Sequence, residues 1–391
     1  GKMGIGKIQS GSIARRQNVV TLTKDGGQVP GKISDLAVFS GLERTDVETA
    51  EAGEIVALSG LEEVNIGDTI ADPTNPVALP RVTIDEPTVQ MTFSVNNSPF
   101  AGRDGKYLTS RHLRERLFKE LETNVSLRVQ ETDSADRFLV AGRGELHLGV
   151  LIEQMRREGY ELQISQPEVI LHREGDTVTE PFEELTIQVP SEYQGPVIEE
   201  IGKRRGELRH MKLVHSEGTA SEMHIEYHIP TRGIIGLKNI LLAKTRGTII
   251  LHHVFSGYAP ADEKALLVAP HGSLVAFEAG TSTAYALFMT QERGELFIGA
   301  SVEVYQGMVV GQNSRDEDLD VNVCKQKQLS NMRAAGTDEA LVLTPPREMS
   351  LEFAMEYIGQ DELVEVTPKY LRLRKRLLNP DDRRKAKKSS K

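Results

Sequence analysis

The first residues whose types and spacing could do chemistry stand at the start of the chain. The run Gly1-Lys-Met-Gly-Ile-Gly6-Lys7-Ile8 nearly fits the phosphate-loop pattern G-x-x-x-x-G-K-[ST], in which glycines and a lysine surround nucleotide phosphates. Ile8 lacks the hydroxyl that would bind Mg²⁺, no strand precedes the run, and strand-like sequence follows where a helix is needed. We therefore expect no nucleotide site at this position.

A cluster of cations near the middle of the chain could contact the phosphates of a nucleic acid. Lys203, Arg204 and Arg205 follow one another at the end of a predicted helix. Positive charge at that position also complements the negative end of the helix dipole. Phosphate binding and helix stabilisation therefore remain two interpretations of the same three residues.

Charge is distributed unevenly along the chain. Residues 369–391 contain eleven Lys or Arg and two Asp, a net +9, so residues 1–368 must carry −19 to give the total of −10. An acidic body with a basic end suggests that this end contacts a polyanion. The segment contains a predicted basic strand, residues 370–376, whose cations are Arg372, Arg374, Lys375 and Arg376.

A loop predicted at residues 325–336 is a second basic segment, with three cations and no acidic residue. Its amides, cations and closing glycine suit a contact with RNA that orders the loop. A solvated, mobile loop is the alternative interpretation.

Other kinds of site are not indicated. Cys324 is the only cysteine, which excludes an intramolecular disulfide, and no group of Cys and His has zinc-ligand spacing. We identify no paired carboxylates and no nucleophile that would predict catalytic residues. No apolar run approaches the ~20 residues that cross a bilayer. We expect a monomeric, cytoplasmic protein without membrane contacts.

The element that organises the chain is a predicted amphipathic helix that begins after Gly144 and ends at Gly159. It has apolar residues at helical spacing, namely Leu148, Leu151, Ile152 and Met155. A second helix, Arg111–Glu122, and four alternating runs surround it. The order strand, helix, strand, strand, helix, strand is typical of the ferredoxin-like, or split βαβ, fold.

The remaining elements predict a multidomain α+β protein. Residues 1–84 have closely spaced short strands typical of a β-barrel. Residues 85–175 and 176–264 each follow the ferredoxin-like order, and residues 265–378 form a mixed α/β domain in which 284–290 is expected to be a strand. Residues 379–391 are expected to be a disordered basic tail.

Four motifs carry a resemblance to a known family. Residues 52–69, the sequence Gly-Glu-Leu-His-Leu-Gly at 144–149, Tyr193-Gln-Gly-Pro-Val and Arg204-Arg-Gly206 resemble domains II, III and V of translational GTPases of the elongation factor G class. The connector at residues 172–182 is too short for the additional domain that elongation factor G carries between III and V. Residues 331–338 and 361–368 resemble the C-terminal domain of the TypA/BipA family.

The resemblance implies a ribosome- and RNA-binding GTPase that acts in assembly of the large (50S) ribosomal subunit and in translation under stress or low temperature. Its implied partners are the ribosome, chiefly the large subunit, rRNA and A-site tRNA, and its implied cofactors are GTP and Mg²⁺ in the intact protein. It also implies an RNA-facing loop that contains Lys325, Lys327, Asn331, Met332 and Arg333.

The chain has neither N-K-x-D nor D-x-x-G and does not begin with Met. We therefore expect a fragment whose nucleotide domain precedes residue 1 and which by itself neither binds nor hydrolyses GTP. The corresponding part of a LepA-like translation factor is an alternative. A stand-alone RNA-binding scaffold protein, with no nucleotide chemistry, is another.

Overall fold

The computed structural model describes residues 3–23, 26–41, 43–61, 64–80, 86–175, 177–214, 221–261, 272–326 and 342–389. The chain divides into two compact units, residues 1–85 with 119–125, and residues 86–118 with 126–391. Helices and strands occur together in the second unit, and strands predominate in the first, so the predicted α+β class is confirmed. None of the described helices is long and apolar enough to cross a membrane.

The described part of residues 1–80 is built from short strands. They are β1 (Met3–Lys7), β2 (Ser12–Ala14), β3 (Asn18–Leu22), β4 (Gln28–Lys32), β5 (Leu36–Ser40), β6 (Glu43–Asp46), β7 (Thr49–Glu51), β8 (Ile55–Ser59) and β9 (Thr69–Ala71). They pair in the orders β1-β8-β5-β6, β4-β3-β9 and β2-β7. A cluster of buried aliphatic side chains, including Ile33, Leu36 and Val56, forms the core of this unit.

The first ferredoxin-like order is present as predicted. Its elements are β10 (Val89–Val95), α1 (Ser110–Glu120), β11 (Arg128–Glu131), β12 (Arg137–Gly142), α2 (Glu145–Glu158) and β13 (Leu162–Ile164), followed by β14 (Glu168–Val169). The strands lie in the order β11-β12-β10-β13. The predicted apolar face of α2 is confirmed, since its four core residues are at most 2% exposed. Gly159 ends the helix with φ 96°, a conformation that glycine adopts without a Cβ clash.

The second ferredoxin-like order follows with the same arrangement. Its elements are β15 (His172–Glu174), β16 (Thr177–Pro190), α3 (Gln194–Lys203), β17 (Glu207–Val214), β18 (Glu222–Pro230), α4 (Thr231–Ile234), α5 (Leu237–Lys244) and β19 (Ile250–Pro260), with a 3-10 turn at Ser191–Tyr193. The strand order β17-β18-β16-β19 matches that of the first set. The single helix predicted at 233–243 is two helices, because Gly236 has φ 71° and interrupts the α conformation.

The C-terminal part contains α and β elements in short succession. They are β20 (Ser273–Ala276), β21 (Gly280–Thr281), α6 (Ala284–Thr290), β22 (Gly294–Leu296), β23 (Glu303–Val304), β24 (Met308–Asn313), β25 (Leu319–Val321), α7 (Leu351–Tyr357), β26 (Glu362–Val366), β27 (Leu371–Lys375) and α8 (Pro380–Ser389), with a 3-10 turn at Gln291–Arg293. Tyr305, Val310 and Leu274 are central to its core.

Two predictions for this part are wrong. Residues 284–290 form α6 rather than a strand, because the Thr283 hydroxyl accepts a hydrogen bond from the Ala286 N–H at 3.1 Å and caps the first turn. The basic tail is not disordered in its described part, since residues 380–389 form α8.

One sheet joins the first ferredoxin-like set to the C-terminal part. β13 pairs with β26 in an antiparallel ladder, and the strand order continues as β13-β26-β27-β24-β20-β25. The sheet therefore crosses from residues near 163 to residues near 365 without a break. We call the residues around this β13–β26–β27 contact the seam.

Candidate RNA-binding interface

Arg204, at the end of α3, lies inside the fold. Its side chain is 3% exposed, and its guanidinium donates to the carbonyls of Gly233 at 2.9 Å and Ile235 at 2.8 Å. Glu200, one helical turn earlier, is its ion-pair partner at 3.4 Å. Burial lowers the pKa of Arg204 despite this carboxylate. The guanidinium ties α3 to the α4–α5 turn, which argues against the predicted phosphate contact.

The two neighbours of Arg204 differ from it in exposure. The Lys203 ammonium is at the surface and pairs with Glu199 at 2.6 Å, an i,i+4 contact that raises the pKa of Lys203. Arg205 is half-buried and has φ 63°, so it forms the left-handed turn between α3 and β17. Of this cluster, Arg204 is therefore the residue that is fully enclosed, while Lys203 and Arg205 are both partly exposed.

Lys375, on the basic strand β27, is enclosed by three carboxylates. Its ammonium lies 2.6 Å from Asp318, 3.0 Å from Asp361 and 2.9 Å from Glu362, and its side chain is 3% exposed. Burial by itself would lower the pKa of Lys375, but the three carboxylates outweigh it and raise that pKa. The predicted RNA contact at Lys375 is corrected, because the charge is neutralised within the fold.

The other inward cations of β27 belong to the seam. Arg374 is 3% exposed and donates to the side-chain oxygens of Asn97 at 2.9 Å and Gln163 at 3.4 Å. Arg372 pairs with Glu365 at 3.1 Å and with Asp104 at 3.5 Å. Burial lowers the pKa of Arg374. Both guanidiniums face protein acceptors, which argues against their predicted role as phosphate ligands.

The seam contains buried acids that explain why β27 is basic. Glu365 is fully buried, and Tyr305 donates to it at 2.9 Å. Asn96 donates to both Glu161 and Glu365, at 2.8 Å and 3.1 Å. Glu161 also accepts the backbone N–H groups of Gly102 and Gly105. The loop after β10 that contains Gly102 and Gly105 is therefore part of the internal structure.

The exposed cations of the C-terminal part form a different group. Arg376 follows β27 and is exposed, and Lys325 is exposed at the start of the predicted loop, where its carbonyl accepts from the Thr283 hydroxyl at 2.6 Å. Within the described residues, no ion pair is found for either side chain. Lys327, Asn331, Met332 and Arg333 lie outside the described residues.

Both described flanks of the predicted loop are anchored in one place. Cys324, before the loop, and Leu343, after it, pack against the core cluster that contains Tyr305. Leu378, two residues before α8, packs against the same cluster. The ends of the basic loop and the base of the basic helix therefore converge on one hydrophobic core.

Sequence reasoning missed α8 as a structured, positively charged element. The signals for it were present: Asn379 is a favourable N-cap, Pro380 suits the first helical position, and two Asp follow in the first turn. In the structure the Asn379 side-chain oxygen accepts from the N–H of Asp381 at 2.8 Å. The high charge of the segment concealed these helix-start signals.

The phosphate-loop-like run at the start of the chain is a strand in its described part. Gly4, Gly6 and Lys7, the described part of the phosphate-loop-like run, belong to β1 and pair with β8 from Leu58 to Ile55. Their backbone groups are therefore part of a sheet rather than a loop around phosphates. Among the described residues, no group of three or more His, Cys, Asp and Glu could hold a metal ion.

Comparison with known proteins decides the family. Residues 1–71 match the family profile for elongation factor Tu domain 2, residues 177–267 that for the elongation factor G C-terminus, and residues 271–380 that for the TypA/BipA C-terminal domain. The whole chain is 46% identical to the large ribosomal subunit assembly factor BipA of Salmonella typhimurium. The chain belongs to the TypA/BipA family.

Further TypA/BipA relatives extend this result. The large ribosomal subunit assembly factors BipA of Synechocystis and Haemophilus influenzae are 47% identical over 375 residues and 48% identical over 386 residues, respectively. These matches cover 96% and 99% of the chain. The chain spans 62 to 64% of the length of these relatives. The TypA/BipA-specific C-terminal match favours this family over the LepA-like alternative.

Proposed function

We propose that this chain is the ribosome- and RNA-docking part of a large ribosomal subunit assembly factor of the TypA/BipA type. The name of its relatives supports the assembly role. GTP hydrolysis, with Mg²⁺, belongs in this proposal to a nucleotide domain that precedes residue 1. The protein acts in the cytoplasm as a monomer, in 50S assembly and in translation under stress or low temperature.

The domain assignment is part of the same proposal. Residues 1–84 serve as the barrel domain, residues 85–175 and 176–264 as ferredoxin-like domains, and residues 265–378 as the family-specific domain. The last of these reaches toward rRNA and A-site tRNA with the loop at 325–336. The continuous sheet across the seam supports a rigid connection between the second and fourth of these domains.

The observation that carries the docking role is the difference in exposure and ion pairing among the predicted RNA-binding cations. Arg204, Arg374 and Lys375 are enclosed by protein acceptors, whereas Lys325 and Arg376 are exposed without an ion pair among the described residues. In a chain of net charge −10, exposed cations without a carboxylate partner are where an anionic partner gains most. Ribosomal RNA is the partner of that charge.

Co-sedimentation with purified ribosomes and with isolated large subunits, across a salt series, tests this proposal. We expect salt-sensitive binding of the wild-type chain. Charge reversal by Lys325→Glu with Arg376→Glu should weaken it and lower the slope of log affinity against log salt by about 1.4 to 1.8, since each of the two lost phosphate contacts removes about 0.7 to 0.9.

The matched control is Lys7→Glu with Lys32→Glu, which changes net charge equally at exposed residues of the strand-rich first unit. Equal losses in both double variants would mean that net charge alone controls binding, and would contradict a local docking surface. Failure of the wild type to bind ribosomes at low salt would contradict the docking role of this part of the protein.

A further inference from the structure

Helix α8 projects from the C-terminal part and is held at its first turn. Pro380 is buried and Arg383 is half-buried, while the other residues from 381 to 389 are exposed. The Arg383 guanidinium donates to the carbonyls of Leu377 at 3.1 Å and Leu378 at 2.7 Å, and it forms an ion pair with Asp320. These contacts fix the direction in which the helix leaves the domain.

The exposed surface of α8 carries a basic stripe. At 100° per residue, four cations fall within an arc of about 160° whose centre is about 120° from Arg383. They are Arg384, Lys385, Lys387 and Lys388. We call these four residues the α8 stripe.

The α8 stripe contributes little to holding the helix. Arg384 and Lys385 lie 3.4 Å and 3.9 Å from Asp381 and Asp382, but all four side chains are more than half exposed, and such pairs are weak. Within the described residues, no ion pair is found for Lys387 or Lys388. Their interaction with the helix dipole is weak, because both side chains are exposed to solvent.

The arrangement contrasts with β27 on the same domain. There, each inward cation faces buried acceptors, and Lys375 alone has three carboxylates. On α8 one cation, Arg383, anchors the helix and the remaining ones point to solvent. A ten-residue helix packed by one turn is marginally stable by itself, so an external anion that reduces the repulsion between the cations at its free end would stabilise it.

We propose that the α8 stripe binds the phosphate backbone of double-stranded RNA and that Arg383 is its positioning residue. The stripe has no aromatic or amide side chain with which to stack on or read unpaired bases, which favours backbone contacts to a duplex. Charge complementarity supports an RNA occupant, since residues 384–389 carry four cations and no acidic residue in a chain of net charge −10. This inference deepens the proposed docking function and rests on it.

The attachment of α8 places it near the predicted RNA-facing loop. Asp320, which binds Arg383, precedes Lys325 by five residues, and five extended residues span at most about 18 Å. The helix base and the loop base also share one core cluster. One RNA duplex can therefore be contacted by the α8 stripe and by Lys325.

The test is fluorescence anisotropy of a labelled 20-base-pair RNA duplex, and of one of its strands alone, with the full chain between 50 and 200 mM salt. Lys387→Ala with Lys388→Ala should lower the salt slope for the duplex by about 1.8, at about 0.9 per contact, and the affinity at 50 mM salt about tenfold. Lys7→Ala with Lys32→Ala is the control of equal charge and should change neither quantity. Unchanged affinity and slope in the α8 variant would overturn the proposal, and so would an equal loss in the control.

The positioning role of Arg383 has a separate readout. Arg383→Gln keeps the four stripe cations but removes the ion pair to Asp320, and should lower duplex affinity about threefold. Because the lysines then no longer face the duplex, adding Lys387→Ala and Lys388→Ala to Arg383→Gln should cost less than it does in the wild type. Full additivity of the two losses would refute positioning by Arg383.

Two further measurements separate this proposal from the docking function. If the α8 double variant binds ribosomes as the wild type does and has lost duplex affinity, α8 is an RNA contact that the ribosome does not use, and the link to docking is refuted. If the wild type binds the duplex but not ribosomes, the docking function fails while the α8 contact stands. Binding of the stripe to phosphatidylglycerol vesicles and not to duplex RNA would overturn the RNA assignment.

Discussion

Glu145, the first residue of α2, is a buried carboxyl group whose removal should make the protein more stable at alkaline pH. Its Oε2 atom is buried and has no hydrogen-bond partner among the described residues. Burial is the main cause that raises the pKa of Glu145, to about 7, and the charge of Glu356 on α7 adds to it. His253 and Lys238 act in the opposite direction but do not compensate.

The magnitude follows from the raised pKa. A value of about 7, against the ordinary 4.5, corresponds to about 3 kcal/mol at about 1.36 kcal/mol per pKa unit. Between these two pH values the folded protein binds more protons at Glu145 than the unfolded chain does, so the free energy of unfolding falls as pH rises. The loss of unfolding free energy caused by ionising Glu145 is small at pH 5 and nearly reaches its full value at pH 8. The change between these two pH values is about 2.5 kcal/mol.

Glu145→Gln keeps the size of the side chain and removes the titration. We expect the stability of the variant relative to the wild type to increase by about 2.5 kcal/mol between pH 5 and pH 8. In calorimetry this is a relative rise in melting temperature of roughly 5 to 10 °C for the transition that contains α2. Any cost of burying the glutamine amide is the same at both pH values, so it cancels in this comparison.

The control for this experiment is Glu192→Gln, a substitution at an exposed glutamate that should show no such pH dependence. The pKa of His253 is raised mainly by its hydrogen bond to Glu183 and also by the charge of Glu145, so the two groups are coupled. Comparing Glu145→Gln in the wild type and in a His253→Gln background separates the titration of Glu145 from that of His253. If the difference between Glu145→Gln and the wild type is the same at pH 5 and pH 8, the carboxyl group is not held protonated and the reasoning is refuted.

Two further substitutions test the seam and its loop by denaturant unfolding. Lys375→Met should lower the free energy of unfolding by about 3 to 5 kcal/mol, because it leaves carboxylates without their counter-charge. The control, Arg376→Met at the exposed neighbour, should cost less than about 0.5 kcal/mol. Similar losses in the two variants would contradict the enclosed position of Lys375. Gly105→Ala places a Cβ 2.4 Å from the Cβ of Glu161 and should lower the free energy of unfolding by about 1 to 3 kcal/mol. The control, Gly195→Ala, has no atom within 4 Å of the new Cβ and should not destabilise the protein. Unchanged stability of Gly105→Ala would show that the loop is not fixed by Glu161.

Elements with a clear local period could be predicted from the sequence. The face of α2 follows from four apolar residues at helical spacing, and its end follows from Gly159. The two sets of strand, helix, strand, strand, helix, strand follow in the same way, because half-buried strands and helices leave different periods. The family resemblance rested on motifs within these elements and is confirmed.

Elements whose form depends on a single local contact were predicted less well. Residues 284–290 are almost continuously apolar, which does not separate a buried strand from a helix, and the Thr283 cap decides the matter. In α8 the dense charge suggested disorder, although the Asn379 cap and Arg383 anchor order the helix. A cap is one hydrogen bond, so it is easily outweighed by composition in a sequence analysis.

The role of the β27 cations could not be predicted from the sequence because their partners are distant in it. Arg374 meets Gln163, 211 residues away, and Asn96 meets Glu365, 269 residues away. A charge count treats each cation as available for an external anion. Only the fold shows which cations neutralise buried acids and which remain outside.

The acidic run at residues 316–320 provides partners for two of the enclosed cations. Asp318 binds Lys375 at the seam, and Asp320 binds Arg383 at the base of α8. One short acidic strand segment therefore connects the cation that stabilises the joined sheet with the cation that directs the projecting helix. β25, which contains Asp320, is the last strand in the sheet order that begins at β11, and it pairs with β20. The base of α8 is therefore attached to the same hydrogen-bonded sheet that contains β10 and β12 of the first ferredoxin-like set.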